Sequence, residues 1–412
     1  MRVGIRWGLV LFLAALLPAV LVGTLPAQAQ GKAGDKPAII FVPGFMTSEI
    51  SDGGRRIWPP ENAASGAADF QRMIIADGPA APRDGLTANR IMPDYDSFVT
   101  ALGAHGSVHP FPYDWRQSVF DSAADLERFI ESRPALRDAG RIVLVAHSMG
   151  GLVATAYAQN PAGVFRHSAG VVKLITMGTP YLGSVQTVLD ARNGIELAPG
   201  DIMPSRAYQQ WTNSFPGFYE MLPAYLDGPG GQPCCVDLSG GEKRPLALWR
   251  YADWRRLDWH AGTYDPAAVQ HTLGDGVGGI RQAVGRWRQD MPAWVFPIAG
   301  LTDWKGDTMK TTSLSFVAKD GRLSAGKGDE CTSDTVICAP GDQAVAQFSA
   351  SLGRASGVLG QHAGSCSVRL GTGPDGPIFH GDITDDVSVR ASVFAALKAK
   401  DHTARWCQQE RK

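Results

Sequence analysis

The sequence of 412 residues has no cysteine before Cys234, no block of charge of one sign and no apolar run long enough to cross a bilayer. Each absence excludes something. Lys and Arg number 39 against 40 Asp and Glu, so the basic surplus that neutralises phosphates is missing and nucleic acid is not an expected partner. The longest apolar run, Leu9 to Val22, falls short of the roughly 20 residues of a transmembrane helix. No Cys/His spacing matches a zinc site, and neither a metal nor a cofactor is expected. Pro/Ser-rich linkers and internal repeats are also missing, which argues for one core with an insertion rather than a string of domains.

What is present begins with a leader. Arg2 and Arg6 precede the Leu9–Val22 run and Ala27-Gln28-Ala29 follows it, the three parts of a secretory signal cleaved after Ala29. Residues 1–29 are therefore set apart as a signal peptide, and the protein is expected in the periplasm or outside the cell. All six cysteines lie in the exported part, where an oxidising compartment permits pairing. Cys331 with Cys338 closes a short loop, and Cys366 with Cys407 pins the C-terminus. Adjacent Cys234 and Cys235 can hardly bond to each other without strain, which leaves them free or paired elsewhere.

Continuous apolar runs, the mark of parallel strands buried on both faces, occur at Ala38–Val42, Val143–Ala146, Val171–Met177 and Trp294–Ala299. Helical patterns lie between them. Asp94–Leu102 carries Phe98, Val99 and Leu102, and Ser122–Leu136 carries Leu126, Phe129, Ile130 and Leu136 at three- and four-residue spacing. Such alternation predicts an α/β fold, a mostly parallel sheet with helices on both faces and functional loops at the C-terminal ends of the strands. From Gly183 to about Asp290 the pattern changes to short amphipathic pieces with Trp211, Trp249, Trp254, Trp259 and Trp287. This stretch reads as a cap, dividing the chain into core 30–183, cap 184–290 and core 291–412. Each tryptophan is explained by packing against the core. Together they are also what a protein places where apolar surface meets a wet lipid interface.

Residues 143–153 read VLVAHSMGGLV. A strand that ends at a serine followed by two glycines and a helical pattern fits a nucleophile elbow, in which small residues flank a serine forced outward on strained backbone. Ala146 takes the first small position and Gly150 the last. The plainer reading is a strand-to-helix corner with a capping serine. A nucleophilic Ser148 needs a base, an acid and an oxyanion hole, and in this architecture the acid and then the histidine follow the serine. His147 adjoins the nucleophile with its side chain expected to point elsewhere, and His260 and His271 fall in the cap. Of His362, His380 and His402, His380 is preferred, because it follows a short apolar stretch and precedes an amphipathic helix. For the acid, Asp342 in a tight turn is preferred over Asp329 and Asp334, while a solvated turn accounts equally for any of the three. The amide of Met149 and that of Phe45, or of Met46, after the Pro43-Gly44 strand end are the oxyanion donors expected.

Five ordered segments carry a resemblance: IIFVPGF (39–45), PYDWR (112–116), VAHSMGGL (145–152), ITMGTPYLGS (175–184) and SFPGFYEMLP (214–223). The sequence resembles the lecithin:cholesterol acyltransferase family, which includes lysosomal phospholipase A and phospholipid:diacylglycerol acyltransferases. The resemblance implies an α/β-hydrolase fold, a Ser148–His380–Asp342 triad with Phe45 and Met149 as oxyanion donors, and a lipid acyl substrate. Where the family has G-D-G-T-V-P at its acid, this chain has Gln343, Ala344 and Ala346, and the disulfide-closed N-terminal lid loop of the animal enzymes has no cysteines here. Asp114 and Arg116 of PYDWR read as a structural pair.

The chemistry implied is transfer of an acyl group from a glycerophospholipid through an acyl-serine to an alcohol or to water, with passing contact between the cap and a lipid surface. Two alternatives remain open. One is a triacylglycerol lipase or carboxylesterase with the same triad, and the other is an inactive secreted lipid-binding protein.

Overall fold

Seven strands form the central sheet of the computed structural model, which describes residues 36–61, 63–75, 84–193, 210–223, 225–228, 231, 233–238, 241–257, 266–302, 312–319, 322–324, 337–355, 359–373 and 376–408. In chain order the strands are β1 Ala38–Val42, β2 Ser107–Pro110, β3 Ile142–His147, β4 Val171–Met177, β5 Val295–Thr302, β6 Gly360–His362 and β7 Ser365–Leu370. Their order across the sheet is β6-β7-β5-β4-β3-β1-β2. Every neighbouring pair is parallel except β6 with β7. The strands read from apolar runs are present, β1 and β4 with the expected bounds.

Two-sided burial explains why these runs do not alternate with polar residues. Ile40, Val42, Leu144 and Ala146 face one layer with Leu126, Ile130 and Leu152. Ile39, Phe41, Val143, Val145, Ile175 and Met177 face the other with Phe98, Leu102, Val389 and Val393. The covering helices are α1 Asp96–Leu102, α2 Val119–Glu131, α3 Met149–Gln159, α4 Gly278–Gln289 and α5 Val387–Lys398. The helix expected from Asp94 is a 3-10 turn at Pro93–Tyr95 running into α1. The one expected over 122–136 starts earlier, where the Ser118 side chain caps it by accepting from the Phe120 amide, and stops at Glu131. Pro134 opens a separate short helix, because proline cannot donate within a continuing one.

Between β4 and β5 lie short helices, a π-helical turn at Thr272–Val277, and strands at Cys235–Asp237 and Arg244–Pro245. Cys235–Asp237 pairs in parallel with Thr312–Lys319, so the excursion after β5 shares a sheet with the 184–290 stretch. Trp211, Trp254 and Trp287 are buried and Trp249 packs partly buried against the core, so these four pack inward instead of forming a lipid-facing set. Trp259 lies outside the described residues, as do residues 1–29. Cys366 and Cys407 are bonded. Cys234 and Cys235 are bonded to each other, which corrects the expectation that neighbours would not pair. The sulfurs meet where the turn at Cys234 enters the strand at Cys235. Cys331 lies outside the described residues. No helix among the described residues is long and apolar enough to cross a membrane.

Candidate active site

Ser148 stands at the end of β3 with φ 53° and ψ −129°, a backbone state that non-glycine residues avoid. The neighbours enforce it. A Cβ at Gly150 would lie 2.3 Å from the Pro43 carbonyl oxygen and one at Gly151 would lie 1.9 Å from Thr179 Oγ1. Only the glycine pair lets α3 descend this close to β1 and to the loop after β4. The serine is thereby lifted above the sheet, tied down by its amide donating to the Met177 carbonyl at 2.9 Å.

His380 begins the 3-10 turn His380–Asp385 ahead of α5. Its Nε2 lies 2.7 Å from Ser148 Oγ and its Nδ1 lies 2.8 Å from Asp342 Oδ2. A carboxylate can only accept, so Nδ1 carries the hydrogen and Nε2 accepts from the serine hydroxyl. Asp342 is buried, and its other oxygen accepts from the amides of Ala344 and Val345 at 3.2 and 2.7 Å. A buried carboxylate needs such partners.

Asp342 reaches this place by a long detour. The chain leaves the sheet after Thr302 and returns where the Thr302 amide donates to the Gly341 carbonyl at 2.9 Å, so Asp342 sits at the C-terminal end of β5. Asp329 and Asp334 lie outside the described residues. In the turn, Gln343 has φ 75°, in the left-handed region that favours glycine. The departure from the family's spelling thus keeps the turn and carries a local steric cost.

The expected oxyanion residues flank the serine. A Cβ at Gly44 would stand 3.1 Å from Ser148 Cβ, which brings the turn bearing Phe45 against Ser148. Met149 is the first residue of α3. Met46, the other candidate, has φ 64°. The Phe45 ring packs edge-on against Trp115 at 5.0 Å between centroids.

PYDWR forms the wall behind this turn. Tyr113 Oη donates to the Pro43 carbonyl at 3.0 Å and Trp115 Nε1 to the Ser48 carbonyl at 3.0 Å. Arg116 is fully buried, its guanidinium held by Asp114 at 2.6 Å and Asp84 at 2.8 Å. Burial opposes its charge, and the two carboxylates outweigh that opposition.

Two contributions leave little trace in local sequence pattern. Gly178 in ITMGTP has φ 57°, and a Cβ there would lie 2.9 Å from Asp342 Oδ2 and 3.0 Å from the His380 ring. Its signal was a glycine directly after a buried strand. His147 does not point away from the site: Nδ1 lies 2.6 Å from Tyr95 Oη and Nε2 lies 3.0 Å from the His380 carbonyl oxygen. Burial first, and the charge of His380 second, push its imidazole well below the usual histidine range. His362 is exposed in β6, and His402 hydrogen-bonds the Val295 carbonyl at the opposite end of β5.

A mostly parallel sheet with a strained serine between strand and helix defines the α/β-hydrolase fold. A chain in the crystal structure of the Tle4-Tli4 complex superposes with a TM-score of 0.58 at 14% identity, covering 88% of this chain and 98% of that one. Within this class, residues 95–243 match the model of the lecithin:cholesterol acyltransferase family. That stretch includes PYDWR, the Ser148 elbow, ITMGTPYLGS and SFPGFYEMLP; Phe45, Asp342 and His380 lie outside it. The propeptide form of Bacillus licheniformis lipase BlEst2 aligns at a TM-score of 0.36 and 14% identity, over 94% of this chain and 54% of that one. No curated protein sequence matches significantly.

Proposed function

We propose that the protein is a serine-dependent enzyme of lipid acyl esters, with glycerophospholipid as acyl donor. The observation that supports this most is the continuous Ser148–His380–Asp342 hydrogen-bonded chain; the family match over residues 95–243 supports the lipid class. Ser148 Oγ attacks the ester carbonyl while His380 Nε2 takes its proton. The oxyanion is held by the amides of Phe45 and Met149, each worth roughly 3 to 4 kcal/mol by the cost of deleting such donors. The tetrahedral intermediate expels the alcohol as His380 returns the proton, which leaves an acyl-serine. Asp342 holds the imidazole tautomer and stabilises the imidazolium. Water or an alcohol, deprotonated by the same histidine, then attacks the acyl-serine and releases acid or a new ester.

An inactive lipid-binding protein would have no use for a strained serine aligned with a buried histidine–carboxylate pair. The 184–290 stretch is proposed as the cap that meets the lipid, and residues 1–29 as the export signal. The test is incubation with phospholipid vesicles and a fatty alcohol, with products identified by mass. Lysophospholipid with fatty acid or fatty ester supports the proposal. Cleavage confined to triacylglycerol or short nitrophenyl esters replaces it by the lipase or carboxylesterase reading.

A further inference from the structure

Behind Ser148 lies a set of buried hydrogen bonds whose directions are fixed by chemistry. The backbone oxygen of His380 can only accept, so the His147 Nε2 facing it at 3.0 Å carries a hydrogen. The neutral ring has one hydrogen, which leaves Nδ1 bare. Tyr95 Oη, 2.6 Å away, therefore donates to it. The other acceptor in reach, Thr47 Oγ1, is 3.4 Å away. The tyrosine oxygen then accepts from the Gly44 amide at 3.4 Å. Burial pushes the Tyr95 hydroxyl up to about 12, so it keeps its proton.

These bonds join two requirements of the reaction, the oxyanion turn and the base histidine. Gly44 precedes Phe45 in the oxyanion turn, and a Cβ at Gly44 would stand 3.2 Å from His147 Nδ1. At the other end, His380 is gripped on both sides of its residue: its amide donates to the Asp342 carbonyl at 3.1 Å and its own carbonyl accepts from His147. Neither Tyr95 nor His147 is hydrogen-bonded to Ser148 Oγ, where the reacting atoms meet.

We propose that Tyr95 and His147 are positioning residues, a one-directional relay that sets the oxyanion turn and the base histidine in mutual register. The inference rests on the acyl-serine reading above. A second histidine this close, 5.0 Å between ring centroids, must stay neutral while His380 becomes an imidazolium, and the Tyr95 donor holds it so.

Tyr95→Phe, His147→Asn and His147→Gln separate positioning from packing. Glutamine places an amide nitrogen where Nε2 stood and keeps the donor to His380, whereas asparagine keeps only the Nδ1 side. Turnover of a nitrophenyl ester and the rate of fluorophosphonate labelling at Ser148 are measured together with melting temperature. Tyr95→Phe and His147→Asn are expected to lower kcat and labelling rate about tenfold, the scale of one hydrogen bond, with KM within about twofold. His147→Gln is expected to recover part of the asparagine loss, since it restores the donor to His380 but not the acceptor for Tyr95. Full activity in all three variants, or losses that follow melting temperature with glutamine as poor as asparagine, would overturn the proposal. Nitrogen-15 shifts of His147 give a readout free of catalysis. They are expected to show the Nε2–H tautomer in wild type and in Ser148→Ala, and the Nδ1–H tautomer overturns the relay. A wild-type protein that neither labels nor turns over, with the Nε2–H tautomer present, removes the acyl-serine reading and with it the positioning role.

Discussion

Asp342 and His380 touch twice: the carboxylate accepts from the ring Nδ1 at 2.8 Å, and the His380 amide donates to the Asp342 carbonyl at 3.1 Å. The side-chain contact sets the tautomer and the backbone contact sets the distance. Asp342→Asn keeps an oxygen for the amides of Ala344 and Val345, so the turn survives, but it can present an N–H to the ring and reverse the tautomer. Turnover is expected to fall by about 10⁴ with little change in melting temperature. Asp329→Asn and Asp334→Asn are expected to cost much less, and a large loss in either moves the acid.

Gly178 tests how tightly the site is closed. With φ 57° and 2.9 Å from a would-be Cβ to Asp342 Oδ2, Gly178→Ala must push the carboxylate away from the imidazole. A loss of about 10² in kcat is expected, with destabilisation of roughly 1 to 3 kcal/mol from the forced backbone. Steady-state kinetics and urea denaturation on one preparation measure both.

Arg116 separates scaffold from chemistry. It is fully buried between Asp114 and Asp84, and lysine cannot reproduce its forked contacts. Arg116→Lys is expected to lose about 1 to 3 kcal/mol, since lysine keeps the charge but leaves some of the carboxylate and Met73 carbonyl oxygens without a donor. Activity per fluorophosphonate-reactive serine should stay within a few-fold of wild type. A stable variant with lost turnover would move PYDWR into the chemistry.

Glu220, in SFPGFYEMLP, joins that segment to the start of α2: Ser118 Oγ donates to Oε1 and the Val119 amide to Oε2, each at 2.6 Å. Burial pushes its carboxyl up to about 8 from an ordinary 4.5. The folded state therefore holds this proton more tightly than the unfolded chain does. Its contribution is fully present below pH 4.5 and is lost as pH rises through about 8. Glu220→Gln, which can still accept from Val119 and donate to Ser118, should flatten that fall. Urea midpoints from pH 5 to 9 measure it; equal slopes in both proteins contradict the assignment.

The parts legible in sequence are those set by local pattern. The run VLVAHSMGG shows both the strand and the elbow, because continuous apolar residues and paired glycines each have a local steric cause. His380 is marked by its place between an apolar stretch and a helix. Partnerships across the fold left little local trace. His147 and His380 meet from positions 233 apart, and nothing beside Tyr95 marks it as the donor to His147. Asp342 is told from its rivals by its tight turn and by a family pattern that it follows in part; the bond from Thr302 to Gly341, which brings it to the end of β5, belongs to the sheet's closure. The tryptophans after Gly183 could be read as packing or as a lipid face, and only tertiary burial decides between the two.

The central claim is an acyl-enzyme on Ser148. Mixing the wild-type protein with a slow nitrophenyl ester, quenching in acid and measuring peptide masses should show the acyl mass on the peptide that contains Ser148. The adduct should be absent in Ser148→Ala, whose turnover is lost while its melting temperature is kept. Turnover without any adduct, together with a Ser148→Ala variant within a few-fold of wild type, would contradict the account.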